Sequence, residues 1–265
     1  MNSGLLSALS IAVSALPIAA QDLWTAGPFT VSPQDLLKAA SQITSDADAI
    51  VLSDEKSWFY DAQGRSTFTL HRFYTVGTAA GVRDWGTTDT RWEPWHESRP
   101  SLRARVITSE AAVHVLDPKT IAEVPVGEGN ETYSDARMLK AALPALAPGS
   151  VVEELITVQE NSAWFPSGET HRAYFGYLVP SQHTSVSIEV PSSVKLRYAA
   201  QLLPNLETSR TEENGRIRVV FKQGPMKPME EAERYLPFDL PRWPSSRVLN
   251  GRLLGGCGRR LSPDR

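Results

Sequence analysis

Ala49 to Val76 reads AIVLSDEKSWFYDAQGRSTFTLHRFYTV, and this stretch decides the fold. Ile50-Val51-Leu52 opens an apolar and aromatic run that closes at Trp58-Phe59-Tyr60, and Asp61-Ala62-Gln63-Gly64 breaks it. From Ser66 to Val76 residues alternate: Phe68, Leu70, Arg72 and Tyr74 share one face, while Thr67, Thr69, His71 and Phe73 share the other. Side chains that alternate with period two belong to a strand. Two such runs joined by a short loop ending in Gly predict a hairpin.

Further β-rich runs follow at Leu102–Ile107, Ala112–Leu116, Thr120–Val124, Val151–Gln159, Ala173–Val179, Thr184–Val190, Val194–Gln201 and Arg216–Lys222. Turn residues punctuate them: Asp117-Pro118, Pro148-Gly149 and Asn214-Gly215. No 10–15-residue helical pattern alternates with the strands, which argues against a parallel α/β sheet. The expected fold is all-β, a mainly antiparallel β-sandwich over residues 47–224, preceded at 21–46 by a segment with one short helix. That helix is read at Pro33–Ile43, where Ser32 caps, Pro33 takes the first position and Asp35 faces the positive end of the dipole.

Both ends read differently. Residues 1–20, MNSGLLSALSIAVSALPIAA, carry no charge and are too short to span a bilayer comfortably. They fit a secretory signal peptide with small residues at Ala19-Ala20, so export is expected, to a periplasmic or extracellular location. No stable membrane span is expected after cleavage. Asn130-Glu131-Thr132 is a glycosylation sequon, relevant only in a eukaryotic secretory pathway. Residues 225–245 hold five prolines (Pro225, Pro228, Pro237, Pro241, Pro244) and read as an extended connector. Residues 246–265 are rich in Arg and Gly and are expected to be disordered.

Composition narrows the function. The 265 residues are 41% hydrophobic, enough for a packed core, and the net charge of −3 offers no basic stripe for nucleic acid. One cysteine, Cys257, excludes an intramolecular disulfide and a multi-cysteine metal site. It lies in the Arg/Gly-rich tail, with all five histidines upstream (His71, His96, His114, His171, His183), and reads as a tail thiol rather than a nucleophile. Gly-x-Ser-x-Gly, His-x-His, His-Glu-x-x-His and Gly-rich phosphate loops are absent. No catalytic residue, metal or cofactor is therefore expected, and the chain is read as a non-enzyme. The densest local feature is DWGTTDTRWEPWHESRP, with Trp85, Trp92, Trp95 and His96 among Asp84, Asp89, Glu93 and Glu97. Exposed, Trp85, Trp92 and Trp95 would stack on a glycan or anchor a peptide, with the carboxylates as acceptors. Packed, they would close or fill the sandwich.

The order of segments also resembles a bacterial family, domain of unknown function 3857. The resemblance runs from ADAIVLSDEKSWFYDAQGRSTFTLHRFYTV through Tyr133-Ser134-Asp135, Leu143-Pro144 and Gly149-Ser150-Val151-Val152-Glu153. It ends at the exit segment Pro228-Met229-Glu230-Glu231 to Pro241-Arg242-Trp243-Pro244-Ser245. It implies a β domain that in exported proteins precedes a transglutaminase-like, papain-related domain carrying Cys, His and Asp. Those catalytic residues map onto no position here, because Ser246-Arg247-Val248-Leu249 stands where entry into that domain is expected. The expectation is thus an exported non-catalytic module that binds, or that supports an absent catalytic domain. The alternatives are a glycan- or peptide-binding module using Trp85, Trp92 and Trp95, or an inactive remnant of a reading frame truncated or shifted after Ser245.

Overall fold

The computed structural model describes residues 23–126, 135–164, 168–230 and 242–251. The expected signal peptide, the sequon, most of the connector and Cys257 lie outside them. In chain order the elements are α1 (Pro33–Ser41), β1 (Ala49–Tyr60), β2 (Ser66–Val76), α2 (Ala79–Trp85), β3 (Thr87–Trp92), β4 (Ser101–Ile107), β5 (Val113–Val115) and β6 (Ala122–Pro125). There follow β7 (Arg137–Ala142), β8 (Val151–Gln159), β9 (Gly168–Tyr174), β10 (Ser181–Pro191), β11 (Leu196–Gln201), β12 (Glu207–Glu213), β13 (Arg216–Gln223) and β14 (Ser245–Gly251). The fold is all-β with short helices, as the strand pattern predicts.

The hairpin that the opening stretch predicts is β1–β2, antiparallel with Tyr60 opposite Ser66. Its turn is held by Asp61, whose Oδ1 accepts from the backbone N–H of Gln63 and of Arg65, each at 2.9 Å. Gly64 there has φ 81°, in the left-handed region where a Cβ is unfavourable. This hairpin is central to an eight-stranded sheet in the order β12-β13-β10-β1-β2-β8-β4-β5. Only β1 and β10 pair in parallel; the other ladders of this sheet are antiparallel.

Two smaller sheets, β3-β7-β6 and β11-β14-β9, lie against one face of the large sheet. Under the first, Leu139, Ala141 and Trp92 pack on Tyr74, Val106, Val152 and Ile156. Under the second, Ala173, Phe175 and Val248 pack on Val186, Ile188, Val219 and Phe221. The opposite face receives α1, whose Leu36 and Ala40 pack on Leu52, Phe73, Ile107 and Val151. Ser32 caps α1 by accepting from Asp35 N–H at 3.1 Å.

Residues 246–251 of the tail depart from the expectation of disorder, and residues 252–265 lie outside the described residues. Residues 246–251 belong to β14, which is the central strand of its sheet, with β9 on one side and β11 on the other. Val248 is 2% exposed and sits in the core, so burial of one apolar side chain and two ladders fix a segment whose composition reads as loose. Further elements the pattern does not announce are α2, β3, β7 and β12, while β9 lies upstream of the expected Ala173–Val179.

Candidate functional site

The large sheet buries charge on both faces. On the face under the small sheets, register places Asp54 beside Arg72 and Arg72 beside Glu154. Arg72 donates to Glu154 Oε2 from Nε at 3.0 Å and from a terminal nitrogen at 2.5 Å, and Tyr74 O–H donates to Glu154 Oε1 at 3.2 Å. Asp54 accepts from Lys56 Nζ at 2.6 Å. On the α1 face, Glu153 accepts from His71 at 2.9 Å, from Arg105 Nε at 2.6 Å and from Phe29 N–H at 2.6 Å. Burial pushes the Glu153 carboxyl up, but these donors and the Arg105 charge outweigh it and hold the group below its ordinary value. Glu153 and Glu154 are both fully buried, point to opposite faces and do not converge with Asp135, which is exposed. Every member of these clusters is engaged inside the sheet, so they serve the fold.

An open concavity lies elsewhere, over the large sheet and lined by residues of both small sheets. Its floor is the lateral row Trp58–Phe68–Val158, one residue each from β1, β2 and β8 in register. Trp58 and Phe68 pack with centroids 4.7 Å apart and their rings tilted by 39°. β3 supplies one wall through Thr90 and Arg91, and β9 supplies the other through His171, whose Nε2 hydrogen-bonds the Tyr60 hydroxyl. The rim comes from the segments after β3 and β8, joined by a bridge between Glu97 and Glu160. They contribute Glu93, His96, Glu97, Glu160 and Trp164 around about 390 Å³, within the range of ligand sites.

The polar groups of the rim are partly committed. Glu160 accepts from Ser66 N–H at 2.6 Å, Glu97 accepts from Glu93 N–H at 2.5 Å, and Arg91 donates to Glu93 at 3.0 Å. His96 is 3% exposed, and neither ring nitrogen has a hydrogen-bond partner; Nδ1 lies 3.5 Å from Glu160 Oε1. Burial pushes the Glu97 carboxyl up, the Glu93 N–H and the adjacent His96 oppose this, and the charges of Glu160 and Glu93 reinforce it. Among the described residues no group of three or more His, Cys, Asp or Glu is arranged to hold a metal ion.

The tryptophans of the sequence motif do not share one face. Trp92 is 9% exposed and belongs to the core under β3-β7-β6. Trp85 packs against the same core, its ring tilted 52° to that of Tyr74 with centroids 5.0 Å apart and the Arg72 guanidinium over it. Trp95 alone is exposed, at 56%, and lies against Trp164 and His96 with centroids 5.0 and 4.3 Å away. Trp85 and Trp92 therefore act in packing, while Trp95 stands beside the cavity rim. Of the acceptors named with them, Glu93 and Glu97 line the cavity. Trp58, Phe68, Glu160, Trp164 and His171 were not anticipated there. Trp58 and Phe68 carry a legible signal, since the hairpin register sets them side by side.

These features define a β-rich module with one aromatic-floored, acid-rimmed cavity among its described residues and charge networks confined to the sheet interior. The chain belongs to the DUF3857 family, a domain of unknown function with solved structure, which matches residues 62–230. No curated protein matches the sequence. Among solved structures, a "putative protease" from Parabacteroides distasonis aligns with TM-score 0.70 at 13% identity, over 77% of this chain and 41% of that one. An M1 zinc metallopeptidase from Deinococcus radiodurans aligns with TM-score 0.36 at 12% identity, over 77% of this chain and 42% of that one. A "putative nutrient binding protein" from Legionella pneumophila aligns with TM-score 0.35 at 9% identity, over 77% of this chain and 68% of that one. The first likeness shows a shared fold, and this chain spans less than half of that protein's length.

Proposed function

We propose that the chain is an exported, non-catalytic binding module that holds a peptide segment, in the family's context for a transglutaminase-like catalytic domain. The observation that carries this reading is the cavity of about 390 Å³ between the small sheets, floored by Trp58 and Phe68. A rigid aromatic floor with a few polar groups at the rim is the construction of a recognition site. The fold likeness to part of a protein described as a "putative protease" is consistent with a domain that accompanies peptide chemistry. Export rests on the apolar first 20 residues.

A mixed peptide library incubated with the full chain tests this. Quenching or enhancement of tryptophan fluorescence with no new fragments by mass spectrometry is the expected result. Fragments that accumulate with time would overturn the non-catalytic reading, and fusion of residues 1–20 to a secreted reporter tests export. A glycan reading is favoured by one observation, the exposed Trp95–Trp164 pair beside acceptor carboxylates. Binding of a chito-oligosaccharide in place of peptides would select it.

A further inference from the structure

The charge around the cavity is unbalanced. Glu93, Glu97 and Glu160 face it from the segments after β3 and β8, and the guanidinium facing it, Arg91, pairs with Glu93 at 3.0 Å. The remaining titratable groups that face it are His96 and, from β9, His171, whose Nε2 is engaged by Tyr60. The floor and rim present Trp58, Phe68 and Trp164, whose ring faces carry the negative part of the aromatic quadrupole. His96, nine-tenths and more buried, lines the cavity with neither ring nitrogen hydrogen-bonded and Nδ1 3.5 Å from Glu160 Oε1, and when neutral one of the two is an unused acceptor. An acceptor-rich, aromatic-walled recess suits a donor that carries positive charge.

We propose that this cavity takes the cationic head of a basic side chain, an ammonium or guanidinium presented by a peptide. The inference rests on the peptide-binding reading and names its specificity. The cation would lie over the aromatic floor, donate to the Glu97 and Glu160 carboxylates and satisfy the neutral His96 nitrogen. Burial raises the proton affinity of Glu97, and the charges of Glu160 and Glu93 add to this. A bound cation favours the ionised carboxylate, so binding is accompanied by proton release. Affinity therefore rises with pH as Glu97 ionises.

The test is calorimetry on the full chain with acetyl-Gly-Lys-Gly-amide and its norleucine counterpart, which keeps the methylene stem and removes the charge. The lysine peptide is expected to bind about tenfold more tightly at about pH 8, with the preference lost in Glu97→Gln. Glu93→Gln, whose side chain is 22% exposed, provides a second charge-removing variant if Glu97→Gln does not fold by circular dichroism. Equal binding of the two peptides would overturn the cationic specificity and leave the peptide-binding reading standing. Binding of chito-oligosaccharide alone, or of none of the three probes, would overturn both.

Discussion

Arg72 shows how one residue can tie three strands together. Its guanidinium sits between Asp54 on β1 and Glu154 on β8, beneath the Trp85 ring. Burial lowers its proton affinity, but the charges of Glu154 and Asp54 and the hydrogen bonds to Glu154 more than offset this, so it remains charged. Glu154→Ala removes the carboxylate that Arg72 donates to and leaves only Asp54, already paired with Lys56, beside it, and a loss of about 3–5 kcal/mol in urea unfolding is expected. A loss under about 1 kcal/mol would mean that the pair behaves as a surface ion pair. Glu153 sets the acid response. Its folded-state pKa lies below its ordinary 4.5, so its contribution is fully present above that value and is lost as pH falls through the folded value. Glu97 has the opposite sign: its contribution is present below 4.5 and is lost as pH rises through its raised value. Melting temperature followed against pH should fall below about pH 4.5 in the native protein and fall less steeply there in Glu153→Gln. A parallel curve for that variant would remove Glu153 as the acid-sensitive group.

At the scale of elements, strands with strict alternation were legible and those governed by distant partners were not. β2 and β8 have the bounds that their sequence predicts, because their apolar faces repeat every second residue. β12, ETSRTEE, is exposed throughout and has no apolar face to announce it; the Asn214-Gly215 turn and the pairing with β13 make it a strand. β14 was hidden by its Arg- and Gly-rich surroundings, and one buried valine with two neighbouring strands decides its structure. Val248→Asp should abolish amide protection in β9, β11 and β14 while β2 and β8 stay protected. Retained protection in β14 would show that its ladder stands without the core contact. α2 depends on a close approach instead. A Cβ on Gly81 would meet the Asp48 carbonyl oxygen at 2.0 Å, and that oxygen is backbone, fixed by accepting from Gly77 N–H at 2.8 Å. Gly81→Ala is expected to cost about 1–3 kcal/mol in denaturant unfolding despite the better helix propensity of alanine.

The whole molecule places its cavity where no single stretch of sequence points. The floor comes from the hairpin, one wall from β3 of the first small sheet and the other from β9 of the second. The hairpin register exposes Trp58 beside Phe68 to a reader of the sequence, and the motif around Trp92 offers Glu93, His96 and Glu97. Glu160 follows from the β2–β8 register opposite Ser66, while His171 joins only through the packing of the second small sheet on the large one, a relation without a local signature. The two small sheets have separate cores, one built on Leu139 and Trp92 and the other on Phe175 and Val248. A ligand in the cavity therefore touches two covers that are otherwise joined through the large sheet. Hydrogen exchange with saturating acetyl-Gly-Lys-Gly-amide should slow amides in β3 and β9 together, with β12 at the far edge unchanged. Slowing confined to β3 would place the ligand on the Trp95–Trp164 rim instead of within the cavity. Slowing in β11 and β12 would move the binding surface to the other end of the molecule.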